Sequence, residues 1–123
     1  MNLRFKVAGR DLLKKGMFRT GDPYFIVSLS EDGGESKSEI GRSDTIENQL
    51  NPDWANVFEV SFDRDKNQYL YFHVWDEDTL REDDTSVEFW VNLTDYVDKG
   101  QLTTANLDKA GGLPTKDDLG FIL

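Results

Sequence analysis

The chain has 123 residues, no cysteine and a formal net charge of −10 at pH 7. This length is typical of one domain that builds its own core, and the lack of cysteine excludes disulfides and thiolate metal sites. The acidic charge argues against nucleic acid as a partner, because nucleic-acid affinity comes largely from lysine and arginine beside phosphates.

Apolar and polar residues alternate along most of the chain, which predicts half-buried β-strands rather than helices. The single domain over residues 1–123 is therefore predicted to be an all-β, antiparallel β-sandwich of about eight strands. The clear inward positions are Leu3, Phe5 and Val7; Phe25, Val27 and Leu29; Phe58, Val60 and Phe62; Leu70, Phe72 and Val74; and Val87, Phe89, Val91 and Leu93. Weaker strands are predicted over residues 38–46, 102–107 and 119–123.

One helical turn is predicted over residues 94–100, with Thr94 as N-cap and Gly100 just beyond its end. The N-terminus has no signal-peptide core, and no apolar run reaches the roughly 18 residues that cross a bilayer. These features predict a cytoplasmic location.

Three connections are predicted to meet at one end of the sandwich, over residues 14–22, 51–54 and 76–84. Asp76 and Asp78 are two positions apart at a strand end and so point the same way, and the loop before Asp84 is long enough to fold back toward them. Clustered carboxylates suit a hard cation such as Ca²⁺, which takes roughly 6–8 oxygen ligands. The alternative interpretation is solvated surface charge, which is common in acidic proteins.

Three ordered segments resemble the motifs of the C2 domain, the calcium- and phospholipid-binding β-sandwich: GDPYFIV at 21–27, LNPDW at 50–54 and FHVWDED at 72–78. The stretch IGRSDTI at 40–46 is similar to the copine branch of that family. The resemblance covers essentially the whole chain and implies a C2-like sandwich. A single strand before the first loop and a strand at the end of the chain resemble the circularly permuted type II topology of the family. The chain as a whole resembles copine-like or protein kinase C-like members.

The resemblance also implies a calcium site built from Asp22 of the first loop and Asp76, Asp78 and Asp84 of the third. The family's first aspartate, which usually bridges two ions, falls on Gly16 here. We therefore expect weak binding of one Ca²⁺ ion rather than two.

The loop tips combine apolar and basic residues: Lys14, Lys15, Met17, Phe18 and Arg19 in the first loop, and Leu80 and Arg81 in the third. Burying a Phe or Leu contributes roughly 1.5–3 kcal/mol, and each basic residue near an anionic leaflet adds about 1 kcal/mol. These residues predict reversible binding to an anionic, phosphatidylserine-like membrane. The alternative is that Met17 and Phe18 fold back onto the sandwich edge.

Some members of the family, such as conventional protein kinase C, also bind a phosphoinositide on a lysine-rich face. Tyr24, Trp54 and Arg42 match positions of that site, whereas Ile26 and Asp44 stand where lysines are expected. No strong phosphoinositide site is predicted.

The sequence offers no catalytic constellation. The one histidine, His73, lies on the strand face opposite the inward residues, and neither Gly33-Gly34 nor Gly111-Gly112 has the surrounding motif of a phosphate-binding loop. Trp90 also lies opposite the inward residues of its strand and marks a candidate contact surface. We expect a domain that is not an enzyme.

The first functional hypothesis is a monomeric, peripheral membrane-targeting module that weak Ca²⁺ binding assists. The second is a Ca²⁺-independent protein-interaction C2 domain, in which Gly16 marks decay of the ion site. The third is an adhesion or carbohydrate-binding sandwich, which the missing signal peptide and the order of the motifs disfavour.

Overall fold

The computed structural model describes residues 2–12, 21–77, 86–98 and 120–123. Within them, seven strands and one short helix follow in chain order: β1 (Asn2–Ala8), β2 (Pro23–Ser30), β3 (Ser38–Arg42), β4 (Asp53–Ser61), β5 (Tyr69–Asp76), β6 (Ser86–Asn92), α1 (Leu93–Asp98) and β7 (Gly120–Ile122). The weak strand predicted over residues 102–107 lies outside the described residues, as does Gly100.

The strands form a four-stranded sheet in the order β3-β2-β5-β6 and a three-stranded sheet in the order β4-β1-β7. All neighbouring pairs are antiparallel except β1 and β7, which run parallel. The predicted all-β, antiparallel sandwich is therefore confirmed. The type II topology stays a prediction.

The core lies between the two sheets and follows the predicted alternation. Phe25 on β2 and Phe72 on β5 are fully buried and pack edge to face with ring centroids 5.8 Å apart, and Phe5 on β1 meets Phe72 at 6.2 Å. The predicted inward positions that are buried are Leu3, Phe5, Val7, Phe25, Val27, Val60, Phe62, Leu70, Phe72, Val74 and Leu93. The remaining ones, which are partly buried against this core, are Leu29, Phe58, Val87, Phe89 and Val91.

The helix begins earlier than predicted and has a different cap. The side chain of Asn92, through Oδ1, accepts a hydrogen bond from the backbone N–H of Asp95 at 3.0 Å, so Asn92 rather than Thr94 is the N-cap. This cap ends β6, and Leu93 therefore enters the core as the first helical residue instead of as a strand residue. Within the described residues, no helix has both the length and the apolar character that a membrane span requires.

A glycine allows β3 to lie close to the opposite sheet. A methyl group at Gly41 would sit 2.7 Å from Cε1 of Phe58 on β4. The Phe58 ring is itself held, because its centroid lies 5.7 Å from that of Phe5 and 5.4 Å from that of Phe25. Any side chain at Gly41 must therefore displace part of the aromatic core.

We expect Gly41→Ala to lower the free energy of unfolding by about 1–3 kcal/mol, the usual cost of forcing extra atoms into a packed core. Urea denaturation of the two proteins measures the difference. The exposed Glu39→Ala on the same strand is the control, and its effect should stay within about 0.5 kcal/mol. Equal effects of the two substitutions would contradict the packing argument.

Candidate functional site

The first and third loops meet because β2 begins where β5 ends. Pro23, the first residue of β2, pairs with Asp76, the last residue of β5. Gly21 precedes the strand with φ of 73°, a left-handed conformation that glycine adopts without strain. The predicted ligands Asp22 and Asp76 are thus brought together at one end of the four-stranded sheet.

The Asp76 carboxylate is almost completely buried, with 1% of the residue exposed. Its Oδ1 accepts a hydrogen bond from the backbone N–H of Asp22 at 3.0 Å, and its Oδ2 accepts one from the N–H of Gly21 at 3.3 Å. A buried charge is costly unless hydrogen bonds compensate it. These two bonds supply part of that compensation and fix the start of β2 against the end of β5.

Asp22 connects three segments of the chain. Its Oδ1 accepts a hydrogen bond from the N–H of Asn48 at 2.8 Å, and its backbone carbonyl accepts one from the N–H of Glu77 at 3.0 Å. The neighbouring carbonyl of Gly21 accepts a further bond from the N–H of Gln49 at 2.7 Å. The turn over residues 48–49 is therefore part of the same loop cluster.

Glu77 also belongs to this cluster, although the sequence did not single it out. Its carboxylate accepts a hydrogen bond from the hydroxyl of Thr45, which follows β3. Because Glu77 stands between Asp76 and Asp78, alternation places it on the other side of the strand end. Its acidic neighbours were the only signal that could have identified it.

The described carboxylates fit part of a calcium site. Asp22 and Asp76 carry the hard oxygen donors that Ca²⁺ prefers. Asp78 and Asp84 lie outside the described residues. Among the residues that are described, no group of three or more His, Cys, Asp or Glu side chains is placed to hold a metal ion.

The predicted membrane-binding residues all lie outside the described part of the chain. They are Lys14, Lys15, Met17, Phe18, Arg19, Leu80 and Arg81. Gly16 lies outside it too. Their role stays a prediction.

One residue matched to the phosphoinositide site belongs to the core instead. Trp54 is only 2% exposed, its ring packs edge to face on Phe25 with centroids 4.8 Å apart, and its Nε1 donates to the carbonyl of Pro23 at 3.3 Å. It cannot contribute to a surface patch. Arg42 and Tyr24 do lie together, with the guanidinium carbon 5.1 Å from the ring centroid.

Comparison with known proteins identifies the same family as the sequence motifs. Residues 2–118 match the C2 domain family. Copine-B of Dictyostelium discoideum is 35% identical over 102 residues, which are 80% of this chain and 18% of that protein. Synaptotagmin-5 of Arabidopsis thaliana is 25% identical over 77 residues, 63% of this chain and 13% of that protein. The chain thus spans less than a fifth of either relative.

Solved structures share the fold at lower identity. Human GIVD cytosolic phospholipase A2, in complex with methyl gamma-linolenyl fluorophosphonate, matches with a TM-score of 0.58 and 21% identity, over 76% of this chain and 13% of that one. A C2 domain of plant Extended Synaptotagmin 1 matches with a TM-score of 0.53 and 20% identity, over 83% of this chain and 71% of that one. On the match over residues 2–118, the chain belongs to the C2 domain family.

Proposed function

We propose that this domain is a peripheral membrane-targeting module that binds anionic phospholipid through its loop tips, with help from one weakly bound Ca²⁺ ion. C2 domains in general are calcium- and phospholipid-binding modules for membrane targeting, and they are not catalytic. The observation that carries the proposal is the contact between Asp22 and Asp76, which joins the first and third loops at one end of the sandwich.

In this proposal Asp22, Asp76, Asp78 and Asp84 hold the ion. The ion would offset the repulsion among these carboxylates and the repulsion between them and lipid phosphates. Asp22 is positioned by the bond from Asn48, and Asp76 by the bonds from Gly21 and Asp22, so both carboxylates are oriented before the ion arrives. Ordering ligands in advance lowers the conformational cost of binding.

Two features make the proposed calcium site weak. Gly16 stands where the family's bridging aspartate is expected. In addition, both oxygens of Asp76 already accept backbone hydrogen bonds, so the loop end holds together by its own contacts. Because these hydrogen bonds join the loops without an ion, they also favour the alternative function, a Ca²⁺-independent protein-interaction domain.

The lipid contact is assigned to the loop tips. Met17, Phe18 and Leu80 would enter the interfacial region, while basic side chains would lie near anionic head groups: Lys14, Lys15, Arg19 and Arg81. Three buried apolar side chains give reversible attachment rather than anchoring. We also propose that the protein is cytoplasmic and monomeric, and that residues 1–123 form a single domain.

We expect Ca²⁺ to raise the Tm of the protein and Asp22→Asn to abolish that rise. A ligand at about ten times its Kd stabilises the folded state by about 1.4 kcal/mol, which is a shift of several degrees for a domain of this size. Asn keeps the acceptor for the Asn48 N–H but removes the charge that binds the ion. Thermal melts in EDTA and in millimolar Ca²⁺ measure both effects.

Asp65→Asn is the matched control for this experiment, because Asp65 is an exposed aspartate in the connection between β4 and β5. The Ca²⁺ shift should survive there. If wild-type melts in EDTA and in Ca²⁺ coincide, the Ca²⁺-independent function replaces the proposal.

We expect Phe18→Ala to weaken binding to phosphatidylserine vesicles by about tenfold or more, because the burial of one large apolar side chain is lost. The Tm should hardly change if Phe18 is exposed at a loop tip. Co-sedimentation with phosphatidylserine and with phosphatidylcholine vesicles measures binding. Val57→Ala, at an apolar residue that is 43% exposed on β4, should bind as the wild type does. A large fall in Tm would place Phe18 in the core.

We expect Gly16→Asp to tighten Ca²⁺ binding and to lower stability slightly in EDTA, because it adds a fifth carboxylate to the proposed cluster. Calorimetric titration of Gly16→Asp, Gly16→Asn and Gly16→Ala separates charge from backbone effects, since glycine tolerates φ angles that strain all three replacements. If Asp binds Ca²⁺ no better than Ala, the ion site has been placed wrongly.

A further inference from the structure

The outward face of the four-stranded sheet is unusually aromatic. Side chains that alternate with the core residues of β2, β5 and β6 point away from the sandwich, and the antiparallel register places them side by side. Tyr24 pairs with Trp75, and Tyr71 pairs with Trp90. His73 lies between Tyr71 and Trp75 on the same face of β5.

These rings touch one another in a continuous strip. Ring centroids are 4.5 Å apart for Tyr71 and Trp90, 5.7 Å for Tyr71 and His73, and 4.3 Å for His73 and Trp75. Trp90 at one end of the strip is 45% exposed, His73 and Trp75 are partly exposed, and Tyr71 is only 5% exposed. Tyrosine and tryptophan dominate the energetic centres of protein interfaces, so this face has the composition of a binding surface.

Two basic side chains of this domain already lie over aromatic rings of the face. Nζ of Lys37 lies 3.5 Å from the centroid of the Tyr71 ring, and the guanidinium of Arg42 lies 5.1 Å from that of Tyr24. Aromatic faces attract cations through their quadrupole. Within the described part of the chain, no cation lies over His73 or Trp75.

Acidic side chains surround the strip. Glu88 pairs in register with His73, and Glu39 lies across the sheet on β3. Glu35 lies in the neighbouring turn, where Gly34 lies against Trp90. All three carboxylates are exposed, and none forms an ion pair with a described cation. Glu88 already accepts a hydrogen bond from the hydroxyl of Tyr71. The chain as a whole carries −10, so a cationic partner is attracted both locally and at long range.

His73 does not oppose this attraction. Burial is the main cause that lowers its pKa below the ordinary value; Lys37 acts in the same direction and Glu88 against it. The lowered pKa favours the neutral imidazole at pH 7. Among the described residues, Nε2 of His73 and Nε1 of Trp75 are buried and have no hydrogen-bond partner.

We propose that this face binds a basic segment of a protein partner, with an arginine stacked over the His73–Trp75 pair and hydrogen-bonded to Glu88. Arginine fits better than lysine, because its planar guanidinium stacks on rings and donates to a carboxylate at the same time. A choline head group could stack but has no N–H for Glu88. The surface is separate from the loop tips, so this inference does not rest on the proposed membrane function.

The test compares two probes of equal charge, fluorescein-labelled hexaarginine and hexalysine, by fluorescence anisotropy at about 150 mM NaCl, near physiological ionic strength. Hexaarginine should bind at least about threefold more tightly, since only a planar guanidinium can stack flat on the rings and donate to Glu88 at the same time. Glu88→Gln should weaken the binding of hexaarginine by about threefold or more. Glu59→Gln is the control, because Glu59 is an exposed glutamate on the other sheet, and it should have almost no effect.

Trp75→Leu should abolish the preference for hexaarginine over hexalysine. If that variant proves unfolded by its thermal melt, the comparison of Glu88→Gln with Glu59→Gln decides alone. Equal affinity for the two peptides, or equal effects of the two glutamate substitutions, would overturn the proposal in favour of unspecific attraction to an acidic surface. Binding of phosphatidylcholine vesicles that Trp75→Leu weakens, without selective peptide binding, would assign the face to a lipid head group instead.

Discussion

The hydrogen bonds from the backbone of Gly21 and Asp22 to the buried carboxylate of Asp76 are the constraint on which the functional end of this domain depends. They fix where β2 starts relative to where β5 ends, and so they bring the first and third loops together. A buried carboxylate is unfavourable in isolation, which is why the backbone must approach it closely. The left-handed conformation of Gly21 makes that approach possible. Any ion or lipid that binds at this end meets loops whose bases are already joined.

The two faces of strand β5 have different roles, because successive side chains point to opposite sides of the sheet. Leu70, Phe72 and Val74 face the other sheet and stabilise the core, and Asp76 continues the same face at the strand end. The intervening residues Tyr71, His73 and Trp75 point outward and form most of the aromatic strip. The loop end and the sheet face are therefore built on opposite sides of one strand, and substitutions can test them separately.

Much of this architecture could be predicted from the sequence, because side-chain direction in a strand depends only on parity. The burial of Trp54 also follows from this alternation. Trp54 has the same strand face as Phe58 and Val60, which places its indole in the core. Asn92 was not predicted as the cap because Thr94 is also a common N-cap residue type and lies within the same short segment, although asparagine ranks above threonine as an N-cap. The aromatic strip could not be predicted as a unit, since adjacency between strands depends on register. The ligand roles of Asp22, Asp76, Asp78 and Asp84 are predictions from the family pattern, and the structure adds that Asp22 and Asp76 lie together.

The parallel pairing of β1 with β7 has a consequence for how the domain is made. Lys6 pairs with Gly120, so this contact closes a loop of roughly 110 residues. Closing a long loop costs conformational entropy, and contacts between distant residues therefore form slowly. During synthesis, the side of β1 that β7 will cover stays open until residues 120–122 have left the ribosome. An open strand side can pair with another chain. Shielding by a chaperone would therefore matter most for nascent chains that already contain β1 and β4 but not yet β7.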